Sequence, residues 1–297
     1  MPAPNRPAPS GGRERKRPWG PTFLEATGFA GADPGGQGAL ATVGAHMTTD
    51  WITRSAEVMC KSTADDTIYK TCFAGHGDTT YLQWLFTAWG WTLLVALVGL
   101  VIALVFGLVI GVMRTLPNRP VAIFGEAWTE FFRNIPLLVQ LLVWYHVIPE
   151  IFPALKSIPE VMLACLGLGF FTSARIAQQV KACINTIPKG QRYAGLATGM
   201  TLAQTYRYVL LPVALRIVLP TLTSESMNII KNSSVAYAFG VTELIYFSTQ
   251  AGEETSLHGT MYLAATILYF LSAFAINRLA AGVEKRTRLP GAIGGAK

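Results

Sequence analysis

Residues 81–113 read YLQWLFTAWGWTLLVALVGLVIALVFGLVIGVM, a run with no Asp, Glu, Lys or Arg. A helix needs about 20 largely apolar residues to cross the hydrocarbon core of a bilayer, and this run exceeds that. It decides the fold class: an all-α polytopic membrane protein. Leu257 to Asn277 forms a second charge-free block. Composition agrees. Of 297 residues, 51% are hydrophobic and 14% charged, against about 25% charged in an average soluble protein. Apolar residues gathered in blocks, rather than spread at period 2 or 3.6, do not suit a water-soluble core.

Working outward from that run, the first span occupies about Ala88 to Met113 and stops at Arg114-Thr-Leu-Pro117-Asn-Arg119-Pro120. A second begins amphipathically with Glu126, Glu130 and Arg133, is interrupted at Pro136, and closes with Leu137 to Ile148. It is too polar to face lipid on all sides, so one side must line protein or water. The third apolar run, Val161 to Ala174, must extend past Arg175 towards Val180 to be long enough. The fourth covers about Val213 to Ile230 with Pro220 and Glu225 inside it, and the fifth about Gly259 to Leu279. The spacing therefore predicts five spans.

Charge sets their direction. Arg114 and Arg119 follow the first span; Lys181, Lys189, Arg192 and Arg207 follow the third; Lys285, Arg286 and Arg288 follow the fifth. Between spans two and three only Lys156 is basic, beside Glu150 and Glu160. Between spans four and five Glu243, Glu253 and Glu254 stand without basic neighbours. Basic segments stay cytoplasmic, so the N-terminus is outside and the C-terminus inside. The net charge of +7 is thus a topology signal. No aromatic-interleaved basic face accompanies it, which argues against nucleic acid as a partner.

Residues 1–46, rich in Pro, Gly, Ala and Arg, cannot bury a core and are expected to be disordered. No apolar signal-peptide core follows Arg13, Arg15, Lys16 and Arg17. Exporting such a basic tail conflicts with the N-out arrangement, and translation starting at Met47 would remove the conflict. Residues 47–80 form a short polar external segment holding Cys60 and Cys72. For those two cysteines a disulfide and two unpaired thiols both stand as readings. None of the four cysteines has zinc-type spacing. His46, His76, His146 and His258 are scattered singly, and no catalytic constellation is visible.

Lys189 to Pro212 reads KGQRYAGLATGMTLAQTYRYVLLP. Gln191 to Ala197 suits a short helix with small residues on one side. Gly199 breaks it, Thr201 to Gln204 spells a capping box, and Pro212 marks entry into the next span. On these features alone the segment is either a cytoplasmic docking surface or an amphipathic loop lying on lipid. It resembles the cytoplasmic "EAA" loop of ABC-importer permeases, with Tyr193-Ala194-Gly195 in the first position, Gly199 as the glycine and Val209-Leu-Leu-Pro212 at the end. Tyr193 stands where that family has Glu, and Gly195 where it has Ala.

Glu130-Phe-Phe-Arg133-Asn134-Ile-Pro136-Leu137-Leu-Val-Gln140, Ile187-Pro188-Lys189-Gly190-Gln191 and Tyr206-Arg207-Tyr208 are similar to segments of polar amino-acid permeases. Arg114 to Arg119, Phe171 to Arg175, Thr223 to Asn228 and Val283 to Gly291 look most like the glutamate/aspartate members. The likeness runs from about Thr79 to Gly295, with the segment around Cys60 and Cys72 as an insertion.

This resemblance implies a type I ABC importer transmembrane domain over residues 81–290, a coupling loop at 189–212 and a short cytoplasmic tail at 291–297. It implies a bacterial cytoplasmic membrane and three protein partners: an ATP-binding subunit, a homologous second permease and an external substrate-binding protein. ATP and Mg would be bound by the ATPase partner. No cofactor is expected in this chain, which has no G-x-x-x-x-G-K-[ST] loop for phosphates. Gln191, Arg192, Tyr193, Ala194, Gly195, Ala197 and Gly199 would meet the ATPase, the small residues permitting close approach.

Arg175, Gln178, Glu225 and Asn228 are the candidate pathway residues. Many polar amino-acid permeases carry Tyr and Glu where Arg175 and Gln178 stand here. A cation gained and an acid lost raise the local potential and favour an acidic substrate, with Arg175 reading a carboxylate; Arg175 as an interfacial anchor is the other reading. Glu225 is expected to pair with Lys231, or either of them with another helix, and Glu130 with Arg133, as structural ion pairs. Glutamine or another polar amino acid as substrate, a channel, and a membrane-embedded enzyme are the competing functions.

Overall fold

The computed structural model describes residues 51–64, 68 and 79–287. The chain divides into two units, Met1–Arg54 and Ser55–Lys297, and the second is described below. Expectations for residues 1–46, the Met47 start, Cys72 and the tail 291–297 lie outside the described residues. Cys60 is disulfide-bonded, whereas Cys165 and Cys183 are free.

The first long helix, α1 (Tyr81–Met113), begins seven residues earlier than hydropathy alone placed it. Thr80 is the reason. Its hydroxyl accepts from Gln83 N, and the Gln83 side chain accepts from Thr80 N, a reciprocal cap that satisfies two otherwise orphaned donors. Two faces of α1 then do different work. Leu94, Leu97, Val101, Val105 and Val109 are exposed, as a lipid-facing stripe must be. Gly99, Ala103, Gly107 and Gly111 are buried against α5 (Glu160–Thr186). A Cβ at Gly107 would lie 2.6 Å from Ile176 Cβ, and one at Gly111 2.6 Å from Val180 Cβ. Gly169 of α5 answers in kind, with Ile102 Cγ2 2.6 Å from its hypothetical Cβ. In lipid, apolar burial alone does not favour helix association, so close backbone approach over small residues supplies the packing.

Helix α2 (Arg119–Asn134) returns with Pro120 in its first turn, where the missing N–H costs nothing. It ends because Ile135 precedes Pro136 and is forced into an extended conformation (φ −94°, ψ 128°). Helix α3 (Leu137–Leu142), a wide π turn over Val143–Val147 and α4 (Ile148–Ile151) complete this arm. The two halves bend by 104° at the break, so the predicted interruption at Pro136 is a sharp turn between two helices. Gln140 Nε2 donates to Gly167 O at 3.0 Å, fixing α3 to α5.

After α5 come α6 (Lys189–Ala197), α7 (Leu202–Thr205), a second π turn at Tyr206–Leu210 and α8 (Leu211–Asn232). Sequence read Thr201 to Gln204 as a cap and placed the next span from about Val213; the helix begins at Leu202 and runs on through the π turn to Phe239 without a break. Both π turns precede a proline by the same interval, Pro149 after Val147 and Pro212 after Leu210. A proline has no N–H for the carbonyl four residues back, and widening the turn relieves its ring of the clash.

The chain ends in α9 (Leu244–Thr255) and α10 (His258–Thr287). Glu243 caps α9 by accepting from Ile245 N and Tyr246 N, and Tyr269 of α10 donates to its other oxygen. Leu244 N donates to Thr92 of α1, so this buried knot fastens α9 to both neighbours. Among the described residues, Tyr81–Met113, Glu160–Thr186, Leu202–Phe239 and His258–Val283 are long and apolar enough to span a membrane; the broken pair makes a fifth crossing if counted as one.

Candidate substrate pathway and coupling loop

The polar cluster between α5 and α8 joins Arg175 and Gln179 of the one to Glu225 of the other. On α5 the residues around Arg175, Ser173, Ala174, Ile176 and Ala177, are buried, while Arg175 and Gln178 are exposed. Facing it, Glu225 of α8 is only 3% exposed at its side chain, against 43% for Arg175. Arg175 Nε and Nη2 donate to the two Glu225 carboxylate oxygens at 2.9 and 3.2 Å. Gln179 Nε2 adds a third bond to the same carboxylate at 2.7 Å. A carboxylate this deep needs such compensation, and Arg175 and Gln179 provide it.

This geometry decides one expected ion pair in favour of a partner on another helix and corrects the other. Glu225 pairs with Arg175 rather than Lys231, which lies six residues along α8, about 9 Å by helical rise, and has no ion pair among the described residues. Glu130 does not pair with Arg133. Its carboxylate accepts from Asn134 Nδ2 at 3.1 Å, while Arg133 Nη1 donates to Gln178 Oε1 at 2.9 Å. Arg133 and Gln179 therefore belong to the cluster although the sequence did not single them out for it. Asn228 shares the face of α8 that carries Glu225, half-buried, but is not hydrogen-bonded to the cluster.

Arg133 reaches α5 because α2 is anchored there by aromatic packing. Trp128 stacks on Phe106 at 5.9 Å, meets Phe132 at 4.5 Å and Phe170 at 5.2 Å, and donates from Nε1 to Ser173 Oγ. Further along α2, towards its start, Glu126 accepts from Arg114 twice at 2.8 Å and from Lys181 at 2.9 Å, tying α1, α2 and α5 together. An apolar cleft of about 400 Å³ between α1, α5 and α8 is lined by Leu108, Val112, Val180, Leu211 and Leu215 among others, and none of the candidate pathway residues lines it.

The candidate coupling loop, residues 189–212, folds as its spacing predicted. Helix α6 stops at Gly199, whose φ of +84° suits glycine best. Met200 N then bonds Gly195 O and Gly199 N bonds Leu196 O, the Schellman arrangement. Thr201 caps α7 reciprocally with Gln204. Gly195 behaves differently from expectation. It is buried, and a Cβ there would sit 2.8 Å from Thr205 Cγ2, so its smallness serves contact within the chain. The outward surface is instead Tyr193, Leu196 and Met200, which are exposed, with Gln191, Ala194 and Ala197 also exposed and Arg192 half-buried. Leu196 was legible as the i+3 neighbour of Tyr193. Tyr206 Oη donates to Thr115 O at 2.7 Å, joining the start of the long α7–α8 span to the end of α1.

A bundle of apolar helices long enough to span a membrane, bent sharply at Pro136 and carrying a polar cluster between helices, is an all-α polytopic architecture. The chain belongs to the family described as binding-protein-dependent transport system inner membrane components, whose model matches residues 103–289. It is 40% identical over 235 residues to the glutamate/aspartate import permease protein GltJ of Escherichia coli K12, covering 75% of this chain and 94% of that one. It is 31% identical over 195 residues to a probable glutamine ABC transporter permease protein, GlnM of Bacillus subtilis, covering 66% and 89%. A solved structure titled as an amino acid ABC transporter with histidines superposes with a TM-score of 0.62 at 26% identity, covering 69% and 95%. The chain is thus a permease subunit of an ABC importer rather than an enzyme.

Proposed function

We propose that this permease imports an acidic amino acid, glutamate or aspartate, across a bacterial cytoplasmic membrane, with five spans, N-terminus outside and C-terminus inside. The observation that carries the substrate reading is Arg175. Its Nε edge is occupied by Glu225, which leaves its Nη1 donors for an incoming carboxylate; guanidinium forks suit such bidentate recognition. The similarity to GltJ supports the same substrate class. Gln178 and Asn228 line the route beside Arg175, and Glu225 holds the guanidinium in place.

The partners follow from that reading. A second, homologous permease completes the pathway beside the exposed side of Arg175 and Gln178, an external binding protein delivers substrate, and an ATPase subunit binds ATP and Mg. The ATPase receives Gln191, Arg192, Tyr193, Ala194, Ala197 and the outward face of α6. Because α6 packs through Gly195 on Thr205, and residues 202–239 are one helical span, closure of the ATPase moves α6 and α8 together as a lever. Glu225 rides on that lever, so the Arg175–Glu225 pair lies where ATP-driven motion meets substrate. Co-purification of an ATP-binding subunit, followed by glutamate-stimulated ATP hydrolysis in the purified assembly, tests the proposal. A chain that conducts amino acids without any such subunit would be a channel and would refute it.

A further inference from the structure

The apolar cleft between α1, α5 and α8 lies apart from the polar cluster, and its rim is basic. Two of its lining residues, Val109 and Leu215, are 55% and 43% exposed. Val109 ends the lipid-facing stripe of α1, so the cleft opens onto the acyl region of the membrane. Its α8 wall, Leu211 to Val218, runs about 10 Å by helical rise. Beside Leu215 stands Arg216, exposed and without an ion pair among the described residues. It precedes Glu225 by nine residues, two and a half helical turns, and so takes the opposite face of α8. Arg207, also exposed, comes about one turn before Leu211, and its guanidinium lies 5.7 Å from the centre of the Tyr208 ring. The ends of the three walls on this side, residues 113–119, 181–189 and 201–216, hold Arg114, Arg119, Lys181, Lys189, Arg207 and Arg216 and no Asp or Glu. Glu126 of α2 reaches Arg114 and Lys181, one carboxylate for two cations, so the count stays positive.

We propose that this cleft binds an anionic phospholipid, one acyl chain lying between α1 and α8 and the phosphate held by Arg216 and Arg207. The walls supply the first half of that match, because every lining residue is apolar. A cleft of about 400 Å³ accepts a chain of methylenes but not a helix 10 Å or more across. The arginines supply the second half. A cation exposed on a spanning helix is costly unless it reaches the membrane surface or an anion. Side chains on a helix lean towards its start, so Arg216 leans towards the basic beginning of the span, where a headgroup sits, and its stem can snorkel there. Basic pockets between spanning helices hold anionic headgroups in this way.

The test is native mass spectrometry of the assembled complex of this chain with its second permease and ATPase, stripped of lipid in mild detergent and titrated with phosphatidylglycerol or phosphatidylcholine. The unmodified complex should hold a phosphatidylglycerol roughly fivefold or more tighter than phosphatidylcholine, the effect of one basic residue at a charged membrane surface. Arg216→Gln and Arg207→Gln should each weaken that lipid about fivefold, and Arg216→Lys, which keeps the charge, should retain most of it. Val109→Trp combined with Leu215→Trp narrows the cleft from both walls and should remove the lipid whatever its headgroup. If that double variant fails to assemble, Arg207→Gln, at an exposed position, reads the same lipid. Equal retention of the two lipids, or phosphatidylglycerol held unchanged in Arg216→Gln and Arg207→Gln, overturns the inference. Cross-linking of Val109→Cys to the second permease overturns it too, because a protein would then occupy the cleft.

Discussion

Arg175 and Glu225, fifty positions apart, meet side-on, with the arginine half exposed and the glutamate almost wholly buried. The asymmetry has an energetic consequence. Removing Arg175 strands a buried carboxylate with Gln179 as its remaining partner; removing the charge of Glu225 leaves an arginine that already reaches the open side. Arg175→Ala should therefore destabilise the subunit by about 3 kcal/mol, the lower end for breaking a buried pair. Glu225→Gln should cost only about 1 kcal/mol. Thermal denaturation of the purified assembly checks the order, and equal losses would refute it.

The glycine stripe of α1 makes a separate prediction. A side chain at Gly107 or Gly111 must displace Ile176 or Val180 together with nearby backbone of α5. Gly107→Val and Gly111→Val should each lower stability by about 1 to 3 kcal/mol, whereas Gly90→Val, where nothing lies within 4 Å, should be tolerated. Yields of folded, monodisperse subunit from detergent, compared across the three variants, read this directly.

For the coupling loop, surface and support should separate. Leu196→Asp alters an exposed position and should weaken retention of the ATPase while leaving the permease folded. Gly195→Val instead pushes α6 away from Thr205, so the ATPase should still bind but its hydrolysis should lose most of its response to substrate. Pull-down of the ATPase and stimulated hydrolysis, measured on both variants, distinguish the two effects.

How much of this was legible in the sequence depended on the range of the interaction. The spans, the break at Pro136, the stop at Gly199 and the cap at Thr201 are local, and each has a local signal. Two local signals went unread: Thr80 to Gln83 spells the cap that starts α1, and Gly107 to Gly111 spells the small-residue seam. The ion pairs were not legible. Glu225 to Lys231 and Glu130 to Arg133 are near in sequence, but the true partners come from other helices, and only packing decides which stripes face each other. The role of Gly195 was misassigned for the same reason, since Thr205 returns to it only after the chain turns at Gly199.

The central claim is that Arg175 reads the carboxylate of an acidic amino acid in a pathway driven by a separate ATPase. The direct measurement is half-maximal stimulation of ATP hydrolysis by glutamate and by glutamine, in the assembled complex without its binding protein, for the unmodified chain and for Arg175→Ala. The account predicts that the unmodified complex prefers glutamate and that Arg175→Ala loses that preference while still responding to substrate. An Arg175→Ala complex that responds with its preference for glutamate over glutamine unchanged would contradict it.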